Sequence, residues 1–330
     1  MAGVARLDLN ESPFAPPREV TRRVEEELAR INRYPERGLI DKAYEALSTY
    51  TGVEKDYITI TCGGDSALYM LFTMLASQGD RVAIPRYSFS TIKKLARSLG
   101  FRVSEVPLWE DGEWWSIDRE ALFEAARGAS LTVIDNPNNP TGSMLLQEIT
   151  VEELARESKG FLVIDEAYYE FSRETVAGLV PESSNLVVVR TLSKAFSLAG
   201  LRVGYVVAPK EIAERIRYLN PYSTSRLSLA AIIAYMSPEN LKHVRTVVEY
   251  VDRWKEKLRR ETYKMGVKTY KSKANFILMD TGVEKAGEKL ENLGVKVRRV
   301  EISDTMVRAS IGMEWENEKL LEALQELKTR

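Results

Sequence analysis

The chain has 330 residues, 44% hydrophobic and 29% charged, too long for a small disulfide- or metal-stapled module and too apolar for disorder. Its 47 basic and 48 acidic side chains leave a net charge of −1, so no global positive field gathers nucleic acid or an anionic membrane. Cys62 is the single cysteine and His243 the single histidine, which excludes an internal disulfide and any cysteine or histidine metal cluster. A Ser-His-Asp relay would hang on His243 alone, in a charged helical context where it reads as solvated or capping. Proton chemistry then falls to Lys, Tyr, Asp or a cofactor. No run reaches the eighteen or so apolar residues of a membrane span, and Met1–Arg6 carries no apolar signal core. A cytoplasmic protein is expected.

In chain order, Leu7–Pro17 reads as an extended, proline-bearing arm, and Arg18–Ile31 and Leu39–Tyr50 read as helices. Short β-branched runs follow at Ile58–Thr61, Arg81–Ile84, Arg102–Val106, Leu131–Asp135, Phe161–Asp165, Leu186–Arg190 and Val203–Ala208. Amphipathic stretches lie between them, among them Ser66–Ser77, Thr91–Leu99, Arg119–Ala126 and Val151–Glu157. These seven runs, alternating with helices, predict an α/β fold with a mostly parallel sheet covered on both faces. A long charged helix over Ser237–Gly266 comes next. Strands at Lys268–Tyr270, Asn275–Met279, Val295–Arg299 and Met306–Ser310 follow, with helices between. The expected organisation is an N-terminal arm with the first helix (1–35), a large α/β domain (36–236), and a linking helix with a smaller α+β domain (237–330).

Polar and turn residues punctuate the strand ends: Gly63-Gly64-Asp65, Pro85-Arg86-Tyr87, Asn136-Pro137-Asn138-Asn139-Pro140, Asp165-Glu166 and Ser193-Lys194. Open α/β sheets bind ligands outside the carboxyl ends of their strands, so these clusters predict one shared site. A lysine is ordinarily a surface charge. Lys194, after a strand and a Ser/Thr turn, sits where burial and nearby cations can lower its pKa and free a nucleophilic amine. Asp165 closes an apolar run, which desolvates a carboxylate unless a cation meets it; otherwise it caps a helix. Gly63-Gly64-Asp65-Ser66 joins a strand to a helix, either as an anion cradle or as a capped helix after a tight turn.

Four segments occur in a fixed order: Asn136-Pro137-Asn138-Asn139-Pro140-Thr141-Gly142, Asp165-Glu166-Ala167-Tyr168, Thr191-Leu192-Ser193-Lys194-Ala195-Phe196, and Ala199-Gly200-Leu201-Arg202-Val203-Gly204. Together they resemble the pyridoxal-phosphate enzymes of the aspartate aminotransferase fold type. Leu9-Asn10-Glu11-Ser12-Pro13-Phe14, Asn32-Arg33-Tyr34-Pro35 and Val307-Arg308-Ala309-Ser310-Ile311-Gly312 look most like histidinol-phosphate aminotransferases within that group. The resemblance spans essentially the whole chain. It implies that Lys194 forms the Schiff base with pyridoxal 5'-phosphate and that Asp165 meets the pyridinium nitrogen. It puts Tyr168 and Asn139 at the ring oxygen, Tyr87 on the ring face, and Gly64, Asp65, Ser66, Thr191, Ser193 and Arg202 at the cofactor phosphate. Tyr34 would reach the cofactor phosphate of the other subunit, making the site depend on a homodimer.

On the substrate side the resemblance implies Arg308 for a carboxylate or phosphate, Arg298 as a second cation, and Phe14 from the arm. Arg299, alternating with Arg298, should face away. Ser12, Phe14, Ala15 and Met313 depart from the family's common residues, and Phe14 lacks a hydroxyl for a substrate phosphate. The implied reaction is amino-group transfer from histidinol phosphate to 2-oxoglutarate in histidine biosynthesis. Alternatives are a transaminase for aromatic or other amino acids and a decarboxylase of the threonine-phosphate type. No Gly-x-Gly-x-x-Gly turn follows a predicted strand, which argues against a nicotinamide oxidoreductase. Retention of Lys194, Asp165 and Arg308 argues against a catalytically silent scaffold.

Overall fold

The computed structural model describes residues 3–219 and 224–329, beginning with β1 (Ala5–Leu7), α1 (Arg18–Leu28) and α2 (Arg37–Thr51). Next come β2 (Ile58–Thr61), α3 (Gly63–Leu75), β3 (Arg81–Pro85), α4 (Ser90–Ser98) and β4 (Arg102–Val106). A hairpin of β5 (Leu108–Asp111) and β6 (Trp114–Ile117) precedes α5 (Arg119–Gly128), β7 (Leu131–Asp135), α6 (Glu148–Glu157) and β8 (Phe161–Asp165). Then follow α7 (Tyr169–Ser172), β9 (Leu186–Thr191), β10 (Gly204–Val207), α8 (Lys210–Leu219), α9 (Arg226–Tyr235) and the long α10 (Pro238–Lys264). The chain ends in β11 (Lys268–Thr269), β12 (Phe276–Asp280), α11 (Ala286–Asn292), β13 (Val295–Arg299), β14 (Met306–Ser310) and α12 (Glu314–Thr329).

The larger sheet has seven strands in the order β2-β10-β9-β8-β7-β3-β4. β10 runs against both of its neighbours, and the others run alike. The carboxyl ends of β2, β3, β7, β8 and β9 therefore share one edge. Because β10 is reversed, its amino end and Arg202 come to that edge as well. Both faces are covered, as near-continuous apolar strands require. Leu162 and Ile164 of β8 join Leu186 and Val188 of β9 in one core, while Val163, Val187 and Val189 pack with Leu68, Leu71 and Phe72 of α3 in the other. No helix among the described residues is long and apolar enough to cross a membrane.

The smaller sheet runs β1-β13-β14-β12-β11. Its first strand, just ahead of the expected extended arm, was not among the predicted elements. Ala5–Leu7 pairs in parallel with Val295–Val297: Ala5 and Leu7 are fully buried there and Ala5 N donates to Gly294 O at 3.0 Å, while Arg6 N donates to Glu316 Oε1 at 3.1 Å. The hairpin β5–β6 was not among the predicted elements; Gly112, at φ 64°, supplies its turn, and Trp115 N donates to Ser143 Oγ at 2.8 Å.

His243 is half-buried and caps no helix. Its ring lies between Phe14 (6.5 Å) and Tyr235 (6.3 Å), Nε2 is buried without a partner, and burial pushes its pKa down. The arm crosses α10 here, a contact that no local pattern announces.

Arg190 shares the parity of Leu186 and Val188 and so points into the same core. There Nε donates to Glu166 Oε2 at 2.9 Å and Nη1 to Tyr205 Oη at 3.2 Å, with the Tyr169 ring 3.7 Å below. Arg190 and Glu166 are 3% and 2% exposed. Removing one member of such a pair leaves a buried, uncompensated charge. Glu166→Ala is expected to cost about 3–5 kcal/mol, read as a lower urea midpoint; an unchanged midpoint would refute the pairing.

Candidate active site

A cavity of about 570 Å³ opens at the shared edge, inside the range of small-molecule sites. The sheet edge contributes Gly64, Asp65, Tyr87, Asp135, Asn139, Asp165, Tyr168, Thr191, Ser193, Lys194 and Arg202 to its walls. The arm contributes Asp8, Leu9 and Asn10, and the smaller sheet Arg298 and Arg308. Ser66, Tyr34 and Phe14 stand outside these walls. Phe14 packs edge-on against Tyr250 at 4.8 Å, and Tyr34 is 75% exposed.

Asp165 forms the floor, buried and aligned with Asp135 across the β7–β8 pair. Its Oδ1 accepts from Ala167 N at 3.1 Å. Burial, then the charge of Asp135, pushes the Asp165 pKa up to about 7, the mark of a carboxylate placed for a cation that the protein itself does not provide. Asp135, by contrast, is fully engaged: it accepts from Ser88 Oγ (2.7 Å), Phe89 N (3.0 Å) and Asn139 N (2.7 Å). The sequence reading missed Asp135, although it too ends a buried strand.

Above the floor, Tyr168 Oη accepts from Asn10 Nδ2 at 2.9 Å and from Asn139 Nδ2 at 3.3 Å. Burial holds its pKa up at about 12, so the phenol keeps a proton to donate into the cavity. Asn10 reaches it from the arm at φ 55° and was not singled out as a site residue. Lys194 Nζ donates to Leu9 O at 3.0 Å. Burial, then the positive charge of Arg308, pushes the Lys194 pKa down to about 8.

At one end Gly64 and Asp65 begin α3, beside Thr191, Ser193 and Arg202. Gly63 has φ 81°, and a Cβ there would stand 2.9 Å from Arg202 Nη2. Glycine thus lets the guanidinium lie against the helix start, where it also meets Asp65 Oδ2 at 3.3 Å. Helix-start amides, two hydroxyls and a guanidinium suit a phosphate monoester. Together with an amine and a buried carboxylate, this donor set fits pyridoxal phosphate.

On the opposite side Arg308 is 6% exposed. Its Nη1 donates to Asn139 Oδ1 and its Nη2 to Asp8 O, each at 2.6 Å, and burial pushes its pKa down to about 10. No carboxylate pairs with it among the described residues. Arg298 lies beside Arg308 in register across β13–β14. Arg299 touches the rim but is ion-paired with Glu288 and Glu291 of α11, as strand alternation predicts.

The chain belongs to the aminotransferase class I and II family, whose model matches residues 2–324. Among its relatives, a histidinol-phosphate aminotransferase of Sulfurisphaera tokodaii is 39% identical over 326 residues, covering 98% of this chain and 90% of that protein. A protein of the same name from Thermococcus gammatolerans is 36% identical, covering 98% of this chain and 91% of that one. The crystal structure of histidinol-phosphate aminotransferase from Sinorhizobium meliloti, in complex with pyridoxal-5'-phosphate, matches with a TM-score of 0.89 at 25% identity, covering 99% of this chain and 91% of that one. Aspartate aminotransferase from Thermus thermophilus with maleate shares the fold, with a TM-score of 0.86 at 24% identity over 98% of this chain and 92% of that one.

Proposed function

We propose that the protein is a pyridoxal-phosphate-dependent aminotransferase that moves the amino group of histidinol phosphate to 2-oxoglutarate in the cytoplasm, as a step of histidine biosynthesis. One observation carries this reading: an amine with its pKa lowered to about 8 and a carboxylate with its pKa raised to about 7 open on the same cavity. The names of the relatives support the donor. When bound, the cofactor supplies an electron sink for the carbanion formed at the substrate carbon.

The chain's residues do the rest. Asp165 would meet the ring nitrogen and favour its protonated form, Tyr168 and Asn139 would donate to the ring oxygen, and Tyr87 would cover a ring face. Gly64, Asp65, Thr191, Ser193 and Arg202 would hold the phosphate, whereas Ser66, expected to join them, stands outside the cavity walls. Lys194 would hold the cofactor's aldehyde, and its amine, neutral once released, would be the base that takes the proton from the substrate carbon. Arg308 binds the carboxylate of the oxoacid, and Arg298 joins it toward the donor's phosphate.

Single-turnover measurement of each half-reaction tests the assignment. Arg308→Ala is expected to damage both halves, by about 1.5–3 kcal/mol per lost charged hydrogen bond. Arg298→Ala is expected to damage chiefly the phosphorylated-donor half. Unchanged histidinol-phosphate kinetics in Arg298→Ala would remove that donor in favour of an ordinary amino acid. Carbon dioxide release without oxoacid-dependent transfer would mark a decarboxylase.

The working unit is a homodimer with Tyr34 contributed across the interface. The exposure of Tyr34, together with that of Leu28 (49%) and Ile31 (66%) just before it, supports this. Tyr34→Phe is expected to raise the cofactor dissociation constant about tenfold, the scale of one hydrogen bond to a charged group. Dilution to monomer should lower activity in parallel, and a fully active monomer would contradict the shared site.

A further inference from the structure

We infer that Lys94 and Ser90 of α4 complete, with Arg298, a phosphate subsite at the cavity mouth, and that Lys94 sets the preference for a phosphorylated over an unphosphorylated amine; this rests on the amino-transfer reading above. Arg298 Nη2 donates to Ser90 Oγ at 3.4 Å, joining β13 to the first turn of α4. Lys94 lies four residues further along that helix, on the same face, and Ser90, Lys94 and Arg298 all line the cavity.

Glu301 also lines this mouth, but its carboxylate lies toward Lys93, 4.0 Å away. Neither Lys94 nor Arg298 has an acidic partner among the described residues. Their neighbours do: Lys93 meets Glu105 at 3.1 Å and Glu301 at 4.0 Å, and Arg299 meets Glu288 at 2.9 Å. Both side chains are exposed, so water and salt screen their mutual repulsion and each keeps its charge available to an anion. A phosphate monoester supplies that anion, with charge and acceptor oxygens for both cations and for the Ser90 hydroxyl. The end of the cavity at Arg202 is given over to the cofactor phosphate. Arg308 is sunk deeper and held by Asn139 and Asp8, where it serves the oxoacid's carboxylate and the inner side of the donor's phosphate alike. The mouth therefore reads the feature that only the donor carries.

The holoenzyme and its Lys94→Gln, Lys94→Arg and Ser90→Ala variants should be compared in single-turnover reactions with histidinol phosphate, histidinol and 2-oxoglutarate, with inorganic phosphate as a competing probe. Lys94→Gln is expected to lower the efficiency with histidinol phosphate about tenfold, with the loss confined to the phosphorylated amine and a parallel weakening of inhibition by inorganic phosphate. Lys94→Arg should recover most of it, and Ser90→Ala should lose about threefold, as for a neutral donor. Equal losses with histidinol and histidinol phosphate, or no loss with either, would overturn the subsite while leaving the aminotransferase reading intact. A wild-type enzyme that does not prefer histidinol phosphate to histidinol would overturn both the subsite and the proposed donor.

Discussion

Lys194→Ala is expected to lower amino-group transfer at least about a hundredfold, the smaller end of what a positioned general base contributes, with the covalent hold on the cofactor lost as well. The protein should remain folded, because among the described residues the Lys194 side chain makes one hydrogen bond, to Leu9 O. It should still bind the cofactor weakly, since the groups around Gly64 and Arg202 are separate from the amine. The chemical basis can be read without turnover. With a pKa near 8, about half of the Lys194 amine is neutral at pH 8, whereas an ordinary lysine at about 10.4 is less than 1% neutral. An acylating reagent applied to cofactor-free protein at that pH should modify Lys194 ahead of the surface lysines. A variant retaining more than a few per cent of wild-type transfer would dismiss Lys194 from both roles.

Asp165→Asn is expected to bind the cofactor yet lose about 3–4 kcal/mol of transition-state stabilisation, the scale of removing one preorganised electrostatic partner. Amide for carboxylate keeps the shape and removes the charge that would hold a ring nitrogen protonated. The same substitution has an opposite effect on stability. In cofactor-free protein the folded chain keeps the Asp165 proton up to about pH 7, while the unfolded chain releases it near pH 4. Between those values the native state binds more protons, so this group makes stability fall as pH rises. Glu170, also pushed up to about 7 by burial, acts in the same direction. The Asn variant should therefore melt higher than wild type at pH 7 and lose part of the wild-type decline between pH 4 and 7. Full activity, or an identical pH–stability profile, would show that Asp165 is not a carboxylate held in reserve for a cation.

Much of the architecture was legible because buried strands announce themselves. Ile58–Thr61, Leu131–Asp135 and Phe161–Asp165 begin and end where the sequence places them, since each is a short run rich in β-branched residues stopped by a polar residue or turn. The same stops located the site. A strand that ends in Asp165, or a turn that holds Lys194, brings its polar group to the sheet edge in any parallel arrangement. The linking helix was also legible, extending over Pro238–Lys264 against a predicted Ser237–Gly266.

Other features had no local signal. Residues Ala5–Leu7 form a strand only because β13 offers them an edge, and the reversal of β10 is invisible in its composition. The amide of Asn10 and the carbonyls of Asp8 and Leu9, which meet Tyr168, Arg308 and Lys194, act across 158 to 300 residues of chain. A backbone carbonyl carries no sequence signature at all. What the sequence by itself determined was the α/β class, the strands of the larger sheet and the chemical types gathered at their ends, because burial and turn propensity act over a few neighbours. Only the tertiary structure decided that Lys194 lies under the arm, that Arg298 stands beside Arg308 and reaches Ser90, and that His243 packs between Phe14 and Tyr235, because long-range closure and strand order choose which distant side chains meet.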